Sequence, residues 1–174
     1  MSSSAGIIII GDEILSGRTK DTNINWIAKE LNLIGIKLKE ARVVEDDKKT
    51  IINTVLEFSK KFTYVFTSGG IGPTHDDITT ESIAAAFQID LEKNKIAMNL
   101  LKKHYEKSNI DFNEARQKMA IIPKGASLID NPVSVAPGFN IKNVYVFAGV
   151  PKIMQSMFHS CLLYTSDAAD DRDS

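Results

Sequence analysis

The sequence predicts an α/β fold, a three-layer αβα sandwich around a mostly parallel sheet. Gly6-Ile-Ile-Ile-Ile10 is a continuous β-branched run, as expected of an interior strand buried on both faces. Strand and helix periodicities then alternate, β-α-β-α-β-α, with short connections, which favours parallel strands covered by helices on both sides. Two glycine-bounded acidic loops, 11–17 and 69–77, each follow the carboxyl end of one of these strands. Ligands of open parallel sheets sit beyond that edge.

The elements follow in order. Asp21 or Thr22 caps a helix running to about Leu33, with Ile24, Ile27, Ala28 and Leu31 on one face and Trp26 at its margin. Gly35 ends it. Ile36–Val44 reads as a strand. Asp46-Asp47 precede a helix over about Lys49–Lys60, with Ile52, Val55, Leu56 and Phe58 inward. Phe62–Phe66 is a strand, and Thr79–Phe87 a helix beyond the second glycine loop. Lys93–Lys107 is a helix with Ile96, Leu100 and Leu101 as its apolar face. Asn113–Ala120 is another, and its Arg116 divides evenly between a surface salt bridge and a phosphate contact. Ala126–Ile129 and Phe139–Ile141 are strands flanking Asn131–Gly138, a rigid loop rich in turn residues. Asn143–Phe147 is a buried strand, and Pro151 suits the first turn of a helix over Lys152–Phe158. Residues 1–160 thus form one domain. Residues 161–174 lack usable periodicity, end as an acidic tail and are expected to be disordered.

Composition narrows the class. The last eight residues contribute −3 of a net −1, so residues 1–166 carry only +2, no basic field for nucleic acid. No 18-residue apolar run exists, and Met1–Ala5 is too short and polar for a signal peptide, so no membrane role is expected. Cys161 has no second cysteine to pair with and fits a reducing cytoplasm; with His75, His104 and His159 scattered, a zinc site is not expected.

The stretch Thr67-Ser-Gly-Gly-Ile-Gly-Pro-Thr-His-Asp-Asp-Ile-Thr-Thr80 carries the chemistry. A strand, a glycine-rich turn and a helix N-terminus aim backbone N–H groups into one space, which favours phosphate or another anion. Asp76 or Asp77 can cap the helix, but a cap needs one Asp and no Gly-Gly-x-Gly. The loop lacks the Lys-Ser/Thr ending of a P-loop and the G-x-G-x-x-G spacing. Bare carboxylates repel an anionic ligand unless a cation intervenes, and a divalent ion such as magnesium bridges carboxylate to phosphate. Asp12, Glu13, Asp76 and Asp77 are expected at one cleft, where neighbouring strands would let them share that metal.

Gly11-Asp-Glu-Ile-Leu-Ser-Gly17 with Asp21-Thr-Asn23, and Ser68-Gly-Gly-Ile-Gly-Pro-Thr-His-Asp-Asp-Ile-Thr79, resemble the MoaB/Mog (molybdopterin-binding) domain family. Within it they are most similar to the CinA N-terminal domain and the molybdopterin-binding-like domain of eukaryotic FAD synthase. Asn113…Arg116, Ile122–Ala126, Asn131-Pro132, Ala136-Pro-Gly138 and Gly149-Val-Pro151 match that branch too, so the resemblance runs from about Ala5 to Met157. Ser134 stands where the CinA pattern has glycine and Ala148 where it has proline; the segment after Ser160 matches nothing in the family.

The resemblance implies an oligomer, dimer or trimer, that binds a nucleotide or pterin phosphate, with molybdopterin among its ligands. It implies Asp12, Asp76 and Asp77 as catalytic acids and Asp12, Glu13 and Asp77 as ligands of a divalent metal. Gly69, Gly70, Gly72, Thr74, Thr79, Asn131 and Gly138 would line the phosphate and ligand site. The expected activity is hydrolysis of a nucleotide pyrophosphate of the ADP-ribose or FAD type. Adenylyl transfer to molybdopterin, or pterin and nucleotide binding without turnover, are the alternatives.

Overall fold

A computed structural model describes the backbone of residues 3–173 and the side chains of residues 3–162. In chain order the elements are β1 (Ser4–Ile10), α1 (Asp12–Leu15), α2 (Asn23–Leu33), β2 (Lys37–Val44), α3 (Lys48–Lys61), β3 (Tyr64–Ser68) and α4 (Thr79–Ala86). There follow β4 (Leu91–Lys93), α5 (Lys95–Ser108), α6 (Glu114–Gln117) running into a 3-10 turn (Lys118–Ala120), and β5 (Ile121–Pro123). The chain closes with β6 (Ser127–Ile129), β7 (Gly138–Ile141), β8 (Val144–Phe147) and α7 (Pro151–Asp173).

The main sheet has the order β2-β1-β3-β8-β7-β6. The first four strands are parallel, and β7 and β6 are antiparallel additions at one edge. β1 lies between β2 and β3, with Ile8 opposite Arg42 on one side and Thr67 on the other. Its isoleucines alternate between layers, as a pleated strand requires. Ile8 and Ile10 join Ile51, Val55 and Phe58 of α3 and Ile83 of α4. Ile7 and Ile9 join Ile27 and Leu31 of α2 and Met154, Met157 and Phe158 of α7. A run apolar at every position is buried on both faces because helices cover both.

Several boundaries and faces differ from the sequence reading. The first acidic loop contains one helical turn, α1. β3 starts two residues later than expected and extends to Ser68. On α3 the buried set is Ile51, Thr54, Val55 and Phe58, with Ile52 and Leu56 only half-buried. On α5 the buried residues are Ala97 and Leu101, while Ile96 is 64% exposed. That helix packs Ala97 and Leu101 on Ala120, with Met119 alongside. The β4–β5 ribbon is absent from the sequence reading because two three-residue strands carry too little period to read. α7 continues past Phe158 to Asp173; the tail's side chains from residue 163 lie outside the described set.

Candidate functional site

The carboxyl ends of β1, β2, β3 and β8 converge as parallel topology requires. Gly11 N–H donates to the Val44 carbonyl at 3.0 Å, tying the end of β1 to that of β2. Gly69 N–H donates to the Phe147 carbonyl at 3.0 Å, tying the end of β3 to that of β8. Gly69 has φ +106, and a Cβ there would collide with the Ile10 carbonyl. Glycine is required at that point by both conformation and space. The two glycine loops therefore touch.

Gly70 has φ +77, and a Cβ would run into the Thr79 hydroxyl. Thr79 is fully buried, donating from Oγ1 to the Gly69 carbonyl at 2.9 Å and from N–H to the Gly70 carbonyl at 3.0 Å. It staples the loop from within, its hydroxyl turned into the core and not outward as a cradle residue's would be. Gly69 also leaves the cradle as a donor, since Phe147 takes its N–H. The backbone N–H groups of Gly70, Ile71 and Gly72 find no acceptor among the described residues. They are the donors at this turn that the fold itself leaves unused.

Asp77 does not cap α4. The N-cap is Ile78, without a side-chain cap. Asp77 Oδ2 instead accepts the Thr74 N–H at 3.0 Å and the Thr74 hydroxyl at 2.8 Å, and Asp77 N–H donates to the Thr74 carbonyl at 3.2 Å. Folding back on Thr74 brings the carboxylate against Gly72, where a Cβ would lie 2.8 Å from Oδ2. Lys118 closes the turn from outside, its Nζ donating to the Asp77 carbonyl at 2.7 Å and to the Thr74 carbonyl. Asp76 stands apart: its side chain is 81% exposed and faces His75 Nε2 at 3.4 Å.

The acid that the sequence reading missed is Asp46. It follows β2 and exchanges hydrogen bonds with Asp12: Asp12 N–H donates to Asp46 Oδ2 at 3.1 Å and Asp46 N–H to Asp12 Oδ1 at 2.9 Å. Burial raises the pKa of Asp46, opposed by the bond from Asp12 N–H and reinforced by the charges of Asp12, Glu13 and Asp77. The cleft thus gathers Asp12, Glu13, Asp46 and Asp77. The rule that placed the two glycine loops, applied to the third strand, would have found Asp46.

Asn131 and Gly138 serve the fold. Asn131 is buried, donates to the Ser134 hydroxyl and the Ala136 carbonyl, and accepts from Val133 and Ser134 N–H. Every polar position of its amide is used inside its own loop. A Cβ on Gly138 would strike the Val146 carbonyl, so this glycine permits close pairing of β7 on β8. Both are buried. Arg116 makes no ion pair among the described residues: it donates to the Asp111 carbonyl at 2.8 Å and lies 5.5 Å from the centre of the Tyr105 ring.

Asn23, at the start of α2, is a further site-edge residue. It is 4% exposed, and its Nδ2 donates to the Ser68 hydroxyl at 2.9 Å and the Gly149 carbonyl at 3.0 Å. It fastens the helix to the ends of β3 and β8. Beside the glycine turn lies a cavity of about 180 Å³, with Gly72, Asp77 and Lys118 at one wall and Met119, Pro137 and Phe139 among its apolar lining. Pockets for whole ligands run from about 300 to 1,000 Å³. This one has room for only part of such a ligand.

Among the described residues no three His, Cys, Asp or Glu side chains form a ready metal cage, so the expected sharing of one ion by Asp12, Glu13 and Asp77 is not preformed. No helix of the described residues is long and apolar enough to cross a membrane.

A family model described as "Probable molybdopterin binding domain" matches residues 6–166. A protein of Sulfurisphaera tokodaii is 40% identical over 161 residues, covering 90% of this chain and 61% of that protein. One from Saccharolobus islandicus is 38% identical over the same span. The chain therefore spans about three fifths of the length of these curated relatives. Among solved structures, CinA of Thermoplasma acidophilum, described as of unknown function, superposes with a TM-score of 0.84 at 35% identity, covering 91% of this chain and 95% of its own. The tungsten cofactor synthesizing protein MoaB of Pyrococcus furiosus gives 0.61 at 20% identity, over 98% and 96% of the two chains. The latter likeness is one of fold.

Proposed function

The chain belongs to the MoaB/Mog (molybdopterin-binding) domain family, with a CinA-like fold, and on that premise we propose that it hydrolyses a nucleotide pyrophosphate of the ADP-ribose or FAD type. The observation that carries the reading is the union of two features at one strand edge. Unpartnered amides at 70–72 favour an anion, and the carboxylates of Asp12, Glu13, Asp46 and Asp77 favour a cation. A phosphate ester bound with a divalent ion is the ligand that satisfies both.

The residues fit such an ion. Magnesium is held through one or two carboxylates, waters and substrate phosphates, so a protein-only cage is not needed. Burial raises the pKa of Asp46, and the neighbouring charges of Asp12, Glu13 and Asp77, which a cation would offset, add to that rise. Asp12 and Asp77 would hold the ion, with Glu13 as a further donor. It would supply charge neutralisation on the pyrophosphate oxygens.

The chain's own residues do the rest. Amides of residues 70–72 bind and orient the phosphoryl group and stabilise charge developing on it. Asp46, whose affinity for protons is raised, accepts a proton from the attacking water. The new bond joins water oxygen to one phosphorus, the bridging P–O bond breaks with its oxygen kept by the other phosphate, and two phosphate monoesters are released, AMP with ribose 5-phosphate from ADP-ribose or with FMN from FAD. Asp76, turned to solvent beside His75, is given no step in this reading. His75 has no required part.

A second reading is adenylyl transfer to molybdopterin, or pterin binding without turnover. The matching family's description supports the pterin-binding part of it. The test offers ADP-ribose and FAD to the purified protein with magnesium, manganese or cobalt, beside Asp77→Asn. Metal-dependent AMP release that the substitution abolishes supports hydrolysis. No release from the folded protein overturns it, and binding of molybdopterin then supports the second reading.

A further inference from the structure

Lys118 belongs to neither glycine loop nor acid cluster, yet it reaches the site. It sits in the 3-10 turn that ends the excursion from β4 through α6, more than 40 residues along the chain from the turn it contacts. We propose that Lys118 is a positioning residue of the phosphate site, clamping the Thr74–Asp77 turn and supplying the positive charge that lets an anion approach the acids. The proposal rests on the phosphate-binding part of the reading above.

Three observations support it. First, the clamp is two-sided. The Asp77 carboxylate holds Thr74 from within, and the Lys118 ammonium holds the Thr74 and Asp77 carbonyls from without. With both sides made, the Asp77 carboxylate stays against Gly72. Second, the two acceptors are neutral carbonyls. An ammonium group has three donors and no acceptor, so two such bonds leave one donor and the whole charge available. Third, Lys118 lines the cavity beside the turn together with Gly72, Asp77, Thr80 and Glu81. Among these it is the only cation, set beside the carboxylates of Asp77 and Glu81.

A lysine used only as a strap would affect folding and nothing else. A positioning residue also changes ligand binding while leaving the chemical step. The experiment compares wild type, Lys118→Met and Lys118→Arg by three readouts. Titration calorimetry measures binding of inorganic pyrophosphate in magnesium, hydrogen exchange follows the amides of residues 74–79, and steady-state kinetics follows ADP-ribose.

Lys118→Met is expected to weaken pyrophosphate at least tenfold and to speed exchange of the Asp77 amide at least tenfold, with β1 amides protected as in wild type. KM for ADP-ribose rises by the same order with kcat within threefold, and Lys118→Arg recovers most of the loss. Pyrophosphate binding by Lys118→Met as tight as wild type overturns the proposal, as does wild type that binds none. A pyrophosphate effect of the expected size, in a protein that cleaves neither ADP-ribose nor FAD, supports Lys118 and overturns only the hydrolytic reading.

Discussion

Asp12 and Asp46, 34 residues apart, each donate a backbone N–H to the other's carboxylate, at 3.1 and 2.9 Å. This reciprocal pair closes the ends of β1 and β2 over the cleft and sets two negative charges beside each other. The pKa of Asp46 is raised, first by burial and then by the charges of Asp12, Glu13 and Asp77, against the opposing bond from Asp12 N–H. The folded state therefore holds that proton more tightly than the unfolded chain. Stability is lost as pH rises from the ordinary carboxylate range through the raised value.

Asp46→Asn is accordingly expected to stabilise the metal-free protein at pH 7. The gain is below about 1 kcal/mol once solvent screening is allowed, or roughly 1–3 °C in Tm. It should disappear below about pH 3.8, where the native carboxyl is protonated in both states. Thermal melts from pH 3 to 8 in a chelator check it. The same substitution should lower ADP-ribose hydrolysis by at least about 100-fold if Asp46 is the proton acceptor.

Thr79→Val keeps the shape and removes the hydroxyl that satisfies the Gly69 carbonyl inside the core. A buried acceptor left without a donor costs about 1–3 kcal/mol. Urea unfolding is expected to show that loss, and binding of inorganic pyrophosphate should weaken because the glycine loop is no longer held.

Gly70→Ala places a Cβ against the Thr79 hydroxyl at a backbone φ of +77. The left-handed strain alone is about 1 kcal/mol, and the collision adds to it. The expected outcome is a folded protein with a Tm lower by at least roughly 4 °C and no measurable pyrophosphate binding. Gly17→Ala is the control: it shares the positive φ (+81) with nothing within 4 Å. It should lose stability and retain binding.

Cys161 packs with the α2–α7 layer, and burial pushes its thiol up to about 12. Alkylation by iodoacetamide at pH 8 is expected to be at least tenfold slower than for a small free thiol, because the thiolate is the reacting form. Urea should restore the ordinary rate.

How much of this was legible beforehand follows from the range of each interaction. The Gly6–Ile10 run could only be an interior strand, and strand–helix alternation with short links could only close as parallel pairs. Those two facts place the loops at 11–17 and 69–77 on one edge before any coordinate is known, and the collision awaiting a Cβ at Gly69 with the Ile10 carbonyl shows that they meet. Residue type also marked Asp12 and Asp77 as members of the cleft.

Direction, however, was not readable. Asp77 folds back on Thr74 and leaves α4 uncapped, Thr79 turns inward, and Asp76 turns outward. Neighbours in the chain with the same chemistry thus receive different roles. Asp46 and Lys118 were missed for a related reason: their partners lie 34 to 44 residues away. Propensity and period report only on near neighbours, so the sequence by itself determined the layers, the strand edge and the glycine turns. Which side chains share the cleft was decided by tertiary packing, because contacts between distant segments exist only after the sheet has brought their ends together.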